Sequence, residues 1–314
     1  MPLLRVTVAI LTYNRARTLR AALAGIVRQN YPADHWELLV VDNNSSDDTA
    51  EVVASFAAAT PPPRRIVEIV QGLDHGRNRA VAEARGDVIV LADDDILVEP
   101  DWLAQLVAPF SSDFAHQIGV VGGEVIPVFP DGLPAWLEGS HHPLAFRGDA
   151  GQLTDHQAPM GANFAFPKWV FTRFGTFDTR LDRQGIRLFG GGDSEMIRRI
   201  RAAGFQAWFV PGAKVLHQMP ASRLTLGYEL RHAFDSARSR VVDRVRLLRV
   251  SGRTPLGFMV TRSLERSVKA VGFLVVALAC LLVFRLGSAK GALVRAWRCC
   301  GYLYQIARSA VGKV

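Results

Sequence analysis

The first 110 residues alternate between two hydrophobic rhythms. RVTVAIL (5–11), WELLVVD (36–42) and DVIVLA (87–92) are apolar, β-rich runs, and RRIVEIVQ (64–71), entered through the stiff turn at Pro61, Pro62 and Pro63, reads as a further strand. Between them, residues 15–29, 47–58 and 76–85 carry helical spacing, as at Leu19, Leu23, Ile26 and Val27. Strands that are apolar on both faces and alternate with helices predict an α/β fold, a mostly parallel sheet covered by helices on both sides. A sheet of that kind places its ligand site beyond the carboxyl ends of its strands.

Residues 111–192 are less regular. They are rich in Gly, Pro, His and aromatics, and read as loops with a few antiparallel strands. Helical spacing returns over 193–204, QAWFVP and AKVLH read as two short strands, and 223–250 as an arginine-rich helix that breaks between Ser251 and Pro255. The expected organisation is a catalytic domain over 1–225, with halves 1–110 and 111–225, followed by a basic helical tail over 226–314.

Charge sharpens that division. The 314 residues carry a formal +8, but residues 221–314 hold 17 Lys+Arg against 4 Asp+Glu, and nothing after Glu265 is acidic. Inside this tail, AVGFLVVALACLLVF (270–284) is uncharged and apolar. Apolar runs among basic residues favour an anionic membrane surface over nucleic acid, for which no interleaved aromatic pattern is present. As a helix the run rises about 22 Å, short of the roughly 30 Å hydrocarbon core. A single crossing would also strand six basic residues, Arg285 to Lys313, on the far side, against the positive-inside rule. The expectation is a membrane-associated tail with both ends on the cytoplasmic face of the cell membrane. The N-terminus is too soon charged for a signal peptide. Three cysteines with no Cys/His pairing point to neither a disulfide framework nor zinc.

Polar residues gather where the parallel strands end. Thr12-Tyr13-Asn14-Arg15 follow the first strand, Asp42-Asn43-Asn44-Ser45 the second, and Asp93-Asp94-Asp95 the fourth. Turn and cap chemistry accounts for Ser45 to Asp48 as well as a site does. It does not account for three successive carboxylates, which repel one another unless a divalent cation sits among them. A hard cation held by one or two carboxylates completes its shell with water and phosphate, so the pattern points to a diphosphate-bearing ligand. No GxxxxGK[ST] loop and no GxGxxG after the first strand argue against a P-loop phosphotransferase and a dinucleotide oxidoreductase.

Seven segments, in order, resemble a family 2 glycosyltransferase of the GT-A, Rossmann-like fold: VAILTYNR (8–15), VVDNNSSDDT (40–49), GRNRAV (76–81), DVIVLADDDILVEPDWL (87–103), MGANFAFPKWVFTRFGTFD (160–178), GGGDSEM (190–196) and VLHQMPASRLT (215–225). The resemblance implies a nucleotide-sugar donor, a divalent cation (Mn2+ or Mg2+), and inverting transfer to a saccharide or lipid-linked acceptor. It places Thr12, Tyr13, Asn14 and Arg15 around the nucleotide, Asp42 on its base, and Arg77 and Asn78 in the nucleotide pocket. Asp93 and Asp94 lie near the ribose, and Asp93 and Asp95 at the metal. Asp193 matches the catalytic base, with Glu195 in reserve. The family often has Glu-Asp where this chain has Gly192-Asp193, and Asp193 also suits the first turn of a helix.

His217 reads either as a structural hydrogen-bonding residue or as a ligand of the metal or diphosphate. Arg223 and Arg231 suit phosphate binding or a solvated basic face equally well. Trp136, His141 and His142 fall on the expected acceptor side. The alternatives to this transferase are a polyprenyl-phosphate sugar synthase and a non-catalytic sugar-nucleotide binding protein. Asp93 to Asp95 together with Asp193 favour catalysis.

Overall fold

The computed structural model describes residues 3–112, 115–138, 148–182, 188, 190–312. These form two units: Met1–Val128 with His141–Arg180 and Gly192–Gln218, and Phe129–Ser140 with Leu181–Gly191 and Met219–Val314.

The first unit opens as the hydrophobic rhythm predicts. In order come β1 (Val6–Thr12), α1 (Ala16–Ile26), β2 (Trp36–Asp42), α2 (Thr49–Ala54), β3 (Pro63–Val67), α3 (Leu73–Glu83) and β4 (Val88–Asp93). Short β5 (Ile96–Val98) and α4 (Trp102–Val107) follow, then β6 (Ile118–Val128), β7 (Gly151–Gln152), β8 (Asn163–Pro167), α5 (Trp169–Phe174), α6 (Gly192–Ala202) and β9 (Gln206–Gln218).

The sheet order is β3-β2-β1-β4-β8-β6-β9-β5, with β7 paired to β9. From β3 to β4 every pairing is parallel; β8 runs antiparallel to both β4 and β6. Strand side chains alternate between two cores, as a period of two requires. Val8 and Ile10 pack with Leu19, Leu23 and Ile26 of α1. Ala9 and Leu11 pack with Ala80, Val81 and Ala84 of α3.

QAWFVP and AKVLH, expected as two strands, are one. Pro211 and Gly212 are absorbed as a bulge: from Gly123 to Val125, β6 advances two residues while β9 advances from Val210 to Val215. β9 therefore runs on to pair with β5, which brings its last residues to the loop after β4.

The second unit is mainly helical, with α7 (Leu226–Val250), α8 (Leu256–Leu282) and α9 (Leu286–Ala310). α9 packs against both α7 and α8. Its small core joins Val241 and Val245 of α7, Met259 of α8 and Ile306 of α9. Thr225 caps α7 by accepting from the Tyr228 amide at 3.2 Å. The apolar run 270–284 forms the second half of α8 and the turn after it. Among the described residues, no helix is long and apolar enough to cross a membrane.

Candidate active site

The parallel register aligns the strand ends. Thr12 lies opposite Asp42, and Leu11 opposite Asp93. This puts the polar residues after β1, β2 and β4 on one edge, as the alternation predicts.

The loop after β4 is the centre of the group. Thr12 Oγ1 donates to Asp94 Oδ2 at 2.8 Å, and Arg15 Nη1 donates to both Asp94 and Asp95 at 2.9 Å. Asp94 and Asp95 are buried. Burial pushes the Asp94 carboxyl up to about 6; Arg15 opposes that rise and Asp95 adds to it. Burial works against the Arg15 charge, but Asp94, Asp95 and Asp93 together hold its pKa above the usual arginine value.

His217 arrives from the far end of the chain. β5 pairs with β9 so that Ile96 faces His217, and the Gln218 amide donates to the Asp95 carbonyl at 2.8 Å. This sets His217 Nε2 3.2 Å from Asp95 Oδ1 and 3.8 Å from Asp93 Oδ2. Burial would raise Asp93, but His217, Arg77 and Arg15 hold it below the ordinary carboxylate value. One ligand atom from each of Asp93, Asp95 and His217 lies within 4.8 Å of the others. Two carboxylate oxygens and an imidazole nitrogen, converging at a strand end, fit a divalent ion such as Mn2+.

A second acidic group joins the first through Arg77. The Arg77 guanidinium is buried, donates to Asp74 Oδ1 at 2.8 Å, and lies over the rings of Phe164 and Phe177. Burial works against its charge, and Asp74, Asp193 and Asp93 together raise its pKa. Gly161 makes the approach of Arg77 to Asp193 possible. A Cβ there would sit 2.6 Å from Arg77 Nη2 and 2.9 Å from Asp193 Oδ2. Asp193, in the first turn of α6, accepts from the Ser194 amide at 2.8 Å.

Other expected residues are held by bonds within the fold. Asp42 is fully buried; its Oδ2 accepts from Arg65 and its Oδ1 from the Ser45 amide. Asn14, at φ 50°, accepts from the Ser46 amide, and its own amide donates to Ser45 Oγ. Asn78 clasps the backbone of Phe177 in both directions, at 2.8 and 2.9 Å. Glu195 is bound by Arg199, whose guanidinium also donates to the Phe174 and Thr176 carbonyls. Tyr13 is exposed beside this edge.

Arg223 and Trp136 lie in the second unit, Arg223 in the turn before α7 and Trp136 with Lys290 Nζ over its ring. Arg231 is exposed on α7, and His141 and His142 lie outside the described residues. Asp74 and Arg65 were not anticipated. Asp74 precedes the GRNRAV segment, where a lone Asp at a helix start reads as a cap. Arg65 lies beside Arg64 in β3, and no local feature marks it as the one that meets Asp42.

The fold has counterparts among known proteins. Residues 7–172 match the model of Glycosyl transferase family 2, and the chain belongs to that family. It is 27% identical over 173 residues to glucosyl-dolichyl phosphate glucuronosyltransferase of Haloferax volcanii, covering 52% of this chain and 51% of that one. It is 31% identical over 128 residues to glycosyltransferase AglE of the same organism, covering 40% and 41%. The chain thus spans about half or less of these relatives' lengths. In fold it resembles the mannosyltransferase PcManGT of Pyrobaculum calidifontis, solved with GDP-Man and Mn2+, at TM-score 0.59 and 20% identity over 100% of this chain and 77% of that one. It also resembles S. aureus TarS 1–349, solved with UDP-GlcNAc, at TM-score 0.55 and 15% identity over 98% and 92%.

Proposed function

We propose that this chain transfers a sugar from a nucleoside-diphosphate donor, UDP-linked in the first instance, to a hydroxyl of a saccharide or lipid-linked acceptor, with inversion. It would serve cell-surface polysaccharide or glycolipid synthesis at the cytoplasmic face of the membrane. The observation that carries the reading is the convergence of Asp93, Asp95 and His217 at the sheet edge, with Asp193 joined to them through Arg77. The relative named for a glucosyl-dolichyl phosphate supports a lipid-linked acceptor. Neighbours solved with GDP-Man and UDP-GlcNAc support a nucleotide-sugar donor.

Asp93, Asp95 and His217 would hold a divalent cation, Mn2+ or Mg2+. Such an ion supplies charge neutralisation to the departing nucleoside diphosphate. Arg15 fixes Asp94 and Asp95 in place before any ligand arrives. Exposed Tyr13 offers its ring to the nucleotide base, and Thr12, tied to Asp94, orders the edge beneath it. Asp193 accepts the proton of the attacking hydroxyl, the step that general-base catalysis assists. Arg77 balances Asp74 and Asp193 in a buried setting where two uncompensated carboxylates would repel.

The test is a panel of UDP- and GDP-sugars with Mn2+ or Mg2+, read as free nucleoside diphosphate with and without saccharide and lipid-linked acceptors. Acceptor-dependent release from one donor, with an inverted anomeric product, is expected. Donor binding without release under any condition would leave a non-catalytic binding protein. Transfer to a bare polyprenyl phosphate would mark a synthase of lipid-linked sugars.

A further inference from the structure

α8 carries an apolar stripe that no described residue of its own unit covers. Leu256, Val260, Leu264, Val268, Val271, Val275, Leu278 and Leu282 follow one another at steps of three or four residues. Each is between 60% and 74% exposed. Such steps keep side chains on one side of a helix, here for about 40 Å. The opposite side is spent inside the unit, where Met259, Ala270 and Ala277 are buried. Soluble surfaces seldom leave an apolar row of this length open.

The surroundings of the stripe are basic. Arg262 and Lys269 are exposed on the side of α8 turned away from it and share the lone acid, Glu265. Arg253 precedes the helix and Arg285 follows it, both exposed. The turn after α8 adds a further sign. The Arg285 amide bonds the Cys280 carbonyl and the Phe284 amide bonds the Leu281 carbonyl, the Schellman pattern. Its left-handed position, φ 56°, is normally glycine; here it is Phe284, which is 89% exposed. A phenylalanine set in a costly backbone conformation and presented outward gains nothing in folding.

From these features we infer that α8 lies in the plane of an anionic lipid surface, with its Leu/Val stripe and the Phe284 turn among the acyl chains and its Arg/Lys flank at the headgroups. The inference deepens the membrane-face reading proposed above and rests on it. An in-plane seat fits an amphipathic helix with a basic polar side, and a crossing needs about 20 predominantly apolar residues. A second copy of the chain is a poorer occupant. Stripe against stripe would leave the Arg and Lys side of each helix, with its one Glu265, without a counterpart.

The experiment is flotation of the full chain with vesicles of phosphatidylcholine alone and of phosphatidylcholine with phosphatidylglycerol. Binding is expected to the anionic vesicles and to fall with salt. The double substitution Leu264→Asp with Val271→Asp should weaken it at least about ten-fold. Val276→Asp, two turns on from Lys269 and so off the stripe, should leave it within about two-fold. Phe284→Gly relieves the backbone, so stability should hold or rise while vesicle affinity drops. Equal loss from Val276→Asp and the stripe pair would mean a helix immersed all round and would overturn the in-plane seat. A dimer in lipid-free sedimentation that the stripe pair disperses would make the occupant a second copy. Flotation needs neither donor nor metal, so its outcome stands apart from that of the transferase assay.

Discussion

Asp94 and Asp95 accept from the Arg15 guanidinium, and Asp93 lies in the field of both Arg15 and Arg77, whereas Asp74 and Asp193 flank Arg77. The first group has more carboxylate than its cation offsets, and an imidazole closes it. The second is close to self-compensated and is lined by phenylalanine. A site with surplus negative charge is built to receive a cation. One that carries its own cation is built to keep a carboxylate in place without one.

The comparison breaks most sharply at Asp95. Asp95→Asn should abolish turnover in Mn2+ or Mg2+ and remove the rise in melting temperature that the ion gives the wild type. An ion-dependent rise that survives the change would place the cation elsewhere. Asp193→Asn should lower turnover by about 10²–10⁴-fold. Donor affinity by calorimetry and thermal stability should stay near wild type, because the amide oxygen still accepts from Ser194; full activity in this variant would falsify the base assignment.

Arg77→Met should cost stability rather than chemistry alone. It leaves Asp74 and Asp193 without their shared cation, a loss of about 3–5 kcal/mol in denaturant unfolding. A stability change below about 1 kcal/mol would show that Arg77 does not hold this group together. Glu195→Gln should matter least, because its partner is Arg199. A stability change under about 1 kcal/mol and near-normal turnover are expected. A collapse of turnover here, with Asp193→Asn active, would move the base to Glu195.

The two halves of the sheet differ in how far the sequence discloses them. β1, β2 and β4 are almost wholly apolar where they are buried, so their place follows from the pattern. The same pattern puts Asp93 to Asp95 at the ligand edge. His217 is another matter. Its approach to Asp95 depends on β9 continuing through Pro211 and Gly212 to reach β5, and those two residues read locally as a break. The bond between Asp42 and Arg65 was likewise hidden, because a carboxylate at a strand end looks the same with or without a cation on the next strand. Asn78 sits in a recognisable motif, yet its two bonds go to a backbone distant in sequence, which no local signal announces.

Gly192 stands against Asp74: a Cβ built on it would lie 2.0 Å from Asp74 Oδ2. Two positions far apart in the chain therefore compete for one volume, and a side chain at 192 requires the Asp74 carboxylate to shift. A lineage of this sequence meets the smaller barrier when position 74 changes first. Gly192→Ala alone meets Asp74 and costs about 1–3 kcal/mol, whereas the same change after Asp74→Gly finds the space open. The order in which the two substitutions arrive decides whether the intermediate folds, and that makes this pair a historical ratchet at the edge of the site.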